Sequence, residues 1–136
     1  MALDVRILNS SDYDEILVGW WKDWGFTPPS KDFLPDNGSG GCMITDGDEF
    51  VCAGFLYSTN SKIAWVDWII SNKNYRKKPE RTEAISLLIL TLTNVAKNLG
   101  NKYAYSLMDN ERLIETYKKL GYVKSASYTE ELIKYL

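Results

Sequence analysis

The run Ile63-Ala64-Trp65-Val66-Asp67-Trp68-Ile69-Ile70 constrains this chain most. Apolar residues fall on both of its alternating faces, so as a strand it has to be covered on both sides. That calls for a sheet with other elements packed above and below, and it makes this strand a central one. One charged side chain, Asp67, interrupts the run. A buried carboxylate is costly unless it is partnered, and burial raises its pKa. Asp67 is therefore either a hydrogen-bonded structural group or a base tuned toward neutrality.

The flanking patterns supply the rest of such a sheet. Residues 42–45 and 49–58 read as strands joined by the Asp46-Gly47 turn, and residues 62–71 complete a three-strand meander. Upstream, residues 5–8 form a short strand, and Asn9-Ser10-Ser11-Asp12 offers helix-capping side chains. Tyr13, Ile16, Leu17, Trp20, Trp21 and Trp24 then recur at helical spacing until Gly25, and Pro28-Pro29 bar continuation. Residues 26–41 form a long polar loop. Downstream come a polar stretch at 72–81, a long helix at 82–99, a strand at 102–107, a helix at 111–120 and two last strands at 122–127 and 130–136, the last of which reads equally as a short helix. The expected architecture is one α/β (α+β) domain over residues 1–136, with a mixed, mostly antiparallel sheet that splays near its centre.

Composition removes several chemistries. There is no histidine, which excludes Ser-His-Asp and Cys-His catalysis and HExxH zinc sites. The two cysteines, Cys42 and Cys52, have no CxxC spacing and read as small buried hydrophobes. Asp46, Asp48 and Glu49 lack calcium-loop spacing, so no metal is expected. Sixteen basic against 18 acidic residues give a net charge of -2, which makes nucleic acid an unlikely general partner. The chain opens without a signal-peptide pattern and holds no apolar run of membrane-spanning length, so a soluble cytoplasmic protein is expected. Aromatic residues reach 13%, enough to fill a core and also to border a groove.

Two segments carry candidate chemistry. Tyr75-Arg76-Lys77-Lys78-Pro79-Glu80-Arg81-Thr82 places four cations before a helix whose N-terminus favours anions. It is either a solvated turn or a polyphosphate grip, with Arg76 and Arg81 as bidentate ligands. Asn110 to Tyr122 forms a second unit, in which Leu113, Ile114, Tyr117 and Leu120 share one helical face. Tyr117 is then a core aromatic or a group with chemistry at its hydroxyl.

Together these segments resemble the GNAT superfamily of N-acetyltransferases. The string Asn110, Tyr117, Lys118 or Lys119, Gly121 and Tyr122 is similar to that family's N-x-x-a-x-x-x-Y-x-k-x-G-F/Y pattern. The order of elements matches over nearly the whole chain, and the size resembles small bacteriophage members. The resemblance implies transfer of an acetyl group from acetyl-CoA, the cosubstrate, to a primary amine of a small molecule or peptide. It implies that Trp68, Ile69 and Ile70 pair with the pantetheine arm, that Arg76, Lys77, Lys78, Arg81 and Thr82 hold the phosphates, and that Asn110 touches the cofactor. Tyr117 would act as general acid toward the leaving thiolate and Asp67 as base. A homodimer is also implied.

One departure stands out. The family's pyrophosphate loop reads R/Q-x-x-G-x-G/A; here Arg76 fills the first position, but Pro79 and Arg81 replace both glycines. Cationic side chains then substitute for the missing backbone donors, or acyl-CoA binding is lost. In the second case the chain is a non-catalytic module that binds a protein or nucleic-acid partner. Trp20, Trp21 and Trp24 could border the acceptor groove, and Asp32 and Asp36 of the 26–41 loop could attract a cationic amine.

Overall fold

A computed structural model describes residues 3–127 and 130–136 of the 136-residue chain. Five strands form one sheet in sequential order: β1 (Leu3–Ile7), β2 (Gly41–Asp46), β3 (Glu49–Ser58), β4 (Ile63–Ser71) and β5 (Tyr103–Tyr105). The first three pairings are antiparallel, and β4 to β5 is parallel. A parallel neighbour requires a crossover. The chain supplies it as α2 (Lys78–Asn98), which begins four residues earlier than its apolar stripe suggests. Pro79 fits there because a helix's first turn needs no internal N–H donor.

Each face of the sheet has its own core. On one side Ile44, Cys52 and Val66 meet Ala84, Leu88, Ile89 and Leu92 of α2, together with Tyr117 of α3 (Glu111–Lys119). On the other side Met43, Ala53, Phe55 and Ile70 meet Leu17, Trp20 and Trp21. That first helix opens as a π-helical turn over Tyr13–Leu17 and continues as α1 (Val18–Asp23). The apolar residues on both faces of β4 thus face two different layers. Cys42 and Cys52 are buried and free, and burial pushes both thiols up.

Two sequence expectations change. Residues 122–127 and 130–136 form no strand; β5 is only three residues long, and Val123, Leu132 and Tyr135 lie exposed. Alternating apolar residues make a strand only where a partner edge is offered. Asp12 also departs from expectation, because its side chain caps no helix. It is buried, and its carboxylate accepts from both Arg6 Nη atoms at 2.8 and 2.9 Å and from the Asn9 N–H at 2.8 Å.

Burial alone would raise the Asp12 carboxyl; the Arg6 hydrogen bonds, the Asn9 N–H and the guanidinium charge outweigh it and hold it below its ordinary value. A depressed carboxylate stabilises the fold above the unfolded value of about 3.9, and that contribution disappears as pH falls through the folded one. Arg6→Ala leaves the buried charge alone, so it should cost about 3 kcal/mol at neutral pH, read from the urea midpoint. The deficit should narrow in acid as Asp12 takes up a proton.

Candidate active site

The site begins with an irregularity in β4. Phe55 pairs with Asp67 and Ala53 with Ile70, so Trp68 and Ile69 together lie opposite Gly54. Such a bulge bends its strand and re-aims the side chains around it. Because paired residues share a face, Asp67 and Ile70 both point toward the α1 layer. Trp68 sits at φ +55°, a left-handed conformation that costs a non-glycine residue about 1–3 kcal/mol. Its surroundings hold it there. Asp67 Oδ1 accepts the Trp68 N–H at 2.8 Å, and the indole lies edge-on to Trp21 and Phe33 at 6.2 and 5.9 Å. A Cβ on Gly54 would stand 2.5 Å from Ile69 Cδ1, so glycine leaves the room this bulge uses.

Beside the bulge, β4 and the edge strand β5 separate. The β4 to β5 pairing ends at Trp65 and Tyr105. Beyond that point Asp67 Oδ2 reaches across to the Leu107 N–H at 3.4 Å. From the other layer the Tyr117 hydroxyl donates to the Val66 carbonyl at 2.7 Å. The Ser106 hydroxyl oxygen is buried close to both Asp67 and Tyr117 and forms no well-aligned hydrogen bond. A carboxylate, a phenol and an unsatisfied hydroxyl thus converge where the sheet opens.

Burial pushes Asp67 above the ordinary carboxylate range, and the Trp68 and Leu107 N–H groups and Ser106 offset this only in part. Burial also drives Tyr117 well above an ordinary phenol; Ser106 opposes this, while Asp67 and Tyr122 reinforce it. Tyr117 is accordingly a permanent hydroxyl donor, and Asp67 is a base of raised strength.

The basic loop after β4 is arranged differently from its sequence promise. Arg81 turns its Nη2 onto the loop's own carbonyls, at 3.0 Å to Asn72, 3.2 Å to Lys73 and closely to Tyr75. Lys77 pairs with Asp46 at 3.4 Å and Glu49 at 3.7 Å on the β2–β3 hairpin, and Tyr75 donates to the same Asp46 at 2.7 Å. Arg76 is exposed and makes no hydrogen bond or ion pair among the described residues. Thr82 is exposed just past the first turn of α2, and the Lys78 side chain lies outside the described residues. Asn110 caps α3, its Oδ1 accepting the Leu113 N–H at 3.0 Å.

A groove of about 860 Å³ runs over the α1-facing side of β4 and into the separation from β5. Asp67, Trp68, Ile69 and Ile70 all border it, and so do Leu107 and Leu113. Trp21 lines it while being almost fully buried; Trp20 is core, and Trp24 is half-exposed with its indole N–H on the Ser71 carbonyl at 2.8 Å. Asp32 and Asp36 border a separate depression with Lys31. Among the described residues no cluster of three or more His, Cys, Asp or Glu could hold a metal, and no helix is long and apolar enough to cross a membrane.

The overall fold recurs in solved structures. Glucosamine-6-phosphate N-acetyltransferase from Arabidopsis thaliana superposes with a TM-score of 0.67 at 12% identity, covering 98% of this chain and 100% of that one. AAC(6')-Iy, solved in complex with the bisubstrate analog CoA-S-monomethyl-acetylneamine, gives 0.69 at 13% identity, with 98% and 99% covered. The chain has the GNAT acyltransferase fold. A transcriptional regulator from Bacillus halodurans shares this GNAT fold with a TM-score of 0.70 at 12% identity, covering 97% and 100%. No protein-family profile matches the chain, and no curated protein matches it in sequence.

Within the GNAT fold, the structure brings together Asp67, Tyr117 and the Trp68 to Ile70 edge, and it places Arg81 and Lys77 in internal contacts. Ser106 was not singled out by sequence; its only sign was a polar residue near the end of an expected strand. If Arg81 orders the loop, Arg81→Ala should speed amide hydrogen exchange across residues 72–77 and cost about 2 kcal/mol, since loop carbonyls lose a charged donor. Unchanged exchange would remove that role.

Proposed function

We propose that this chain transfers an acetyl group from acetyl-CoA to a primary amine. The observation that carries this reading is the convergence of the Asp67 carboxylate and the Tyr117 hydroxyl where β4 and β5 part. The residues of the cleft suit an extended thioester arm. Past Trp65, the β4 main chain has no β5 partner, so Trp68, Ile69 and Ile70 offer a strand edge to the arm's amides. The exposed amide of Asn110 stands at the start of α3 and completes the proposed contacts.

The phosphate end rests on fewer groups than the sequence suggested. Arg76 carries the free guanidinium, and the α2 N-terminus adds the Lys78 and Glu80 N–H groups and Thr82. Arg81 contributes by fixing the loop's shape, and Lys77 is shared with the hairpin acids.

Bound acetyl-CoA supplies the thioester, and the residues supply position and proton traffic. The amine nitrogen forms a C–N bond to the acetyl carbon as the C–S bond breaks. Asp67 accepts the proton that nitrogen loses, directly or through one water. A thiol's pKa is about 8.5, below that of buried Tyr117, so full proton donation from Tyr117 is uphill. The hydroxyl therefore gives up its bond to the Val66 carbonyl and donates instead to the developing negative sulfur, and solvent delivers the proton finally taken by the thiolate.

Calorimetry with CoA should show saturable heat, and no heat at millimolar CoA would reject the reading. Tyr117→Phe should lower turnover about a hundredfold with little change in CoA affinity. The acid limb of kcat/KM should lie above the ordinary Asp value of about 3.9, because the base works only after losing its proton, and Asp67→Asn should abolish that limb.

The internal engagement of Lys77 and Arg81 favours a second reading, a GNAT-fold module that binds a protein partner without catalysis. Silence in the CoA titration, with the fold intact, is the outcome that selects it.

A further inference from the structure

The groove beside Asp67 is built from ring faces. Tyr57 and Trp65 pair across β3 and β4 and share the face of Asp67. Trp68 joins them from the bulge, backed by Trp21, and Phe33 and Phe26 of the loop form the opposite wall. Hydrogen bonds fix these walls before any ligand arrives. The Tyr57 hydroxyl donates to the Phe33 carbonyl at 3.0 Å, and the Tyr13 hydroxyl donates to the Pro29 carbonyl at 2.6 Å. Among the described residues, the charged side chains lining the groove are Asp67 and Glu131, with no lysine or arginine beside them.

These features select by chemistry. A phosphorylated acceptor would bring anionic charge against two carboxylates with no cation to meet it. A polyhydroxylated amine would press most of its hydroxyls against indole and phenyl faces, with the Thr27, Ser58 and Thr59 side chains as the hydroxyl partners this lining offers. An ammonium on an aromatic body meets neither penalty. Its charge is attracted by Asp67 and by ring faces, and its body stacks on the aromatic walls. A volume of about 860 Å³ accommodates a ring system together with the thioester end.

We propose that the acceptor is a primary amine joined by a short linker to an aromatic ring, held by the Tyr57, Trp65, Trp68 and Phe33 walls with its nitrogen at Asp67. This deepens the acetyl-transfer reading and rests on it.

The test uses the full chain with acetyl-CoA and four acceptors: tryptamine, phenethylamine, glucosamine 6-phosphate and neamine. Thiol release and product mass are followed, and CoA and tryptamine binding are each measured separately by calorimetry. The aromatic amines should exceed the other two in kcat/KM by about tenfold or more. Phe33→Ala, on a half-exposed loop, should raise KM for tryptamine several-fold while leaving CoA affinity unchanged. If glucosamine 6-phosphate or neamine is acetylated as efficiently as tryptamine, the acceptor class is overturned and acetyl transfer stands. If CoA fails to bind and nothing is acetylated, the transferase reading falls. Tryptamine heat that Phe33→Ala abolishes would then still support an aromatic-amine site, and absence of that heat would overturn it.

Discussion

The hydrogen bond from the Trp68 amide to the Asp67 carboxylate is the contact on which the site depends. It holds a residue with a bulky side chain in a left-handed backbone conformation and so preserves the bulge. The bulge places Asp67 and Trp68 toward one layer together and leaves β4 without a β5 partner beyond Trp65. Backbone cost, carboxylate position and cleft are thus one coupled feature. Asp67 sits within this arrangement as both support and proposed base, and its raised proton affinity follows from the same burial.

Tyr117 approaches the same point from the opposite core. Its ring packs with Val66, Leu88 and Tyr122 in that layer, while its hydroxyl reaches the strand carbonyl. Packing fixes the ring, so the hydroxyl position is set by α3 and by the Asn110 cap that starts it. Two independent layers therefore bring their polar groups to adjacent residues of β4, Asp67 bordering the groove and the Tyr117 hydroxyl on the Val66 carbonyl.

Much of this was legible in the chain. The two-faced apolar run identified β4 and its central place, and its single carboxylate identified Asp67. The capping Asn110 and the spacing of Leu113, Tyr117 and Leu120 identified α3. What escaped depended on contacts between distant residues. No glycine marks the left-handed position at Trp68; the one sign of the bulge lies on the facing strand, where Gly54 interrupts an apolar run. Arg81 reads as a phosphate ligand until the loop folds back and presents three carbonyls to it. Asp12 reads as a cap until Arg6, on a neighbouring strand, meets it. The 122–127 and 130–136 segments carry strand-like patterns, yet a pattern specifies a strand only when an edge receives it.

The Arg81 contacts have a consequence for the stiffness of the loop that leads into α2. A glycine-rich turn is supple and must be ordered when an anion arrives, which lowers the net gain from contact. Here a guanidinium already gathers the carbonyls of residues 72, 73 and 75, so the rim is rigid in advance. Conformational freedom that a glycine-rich turn would surrender on meeting an anion is, in this protein, surrendered once during folding.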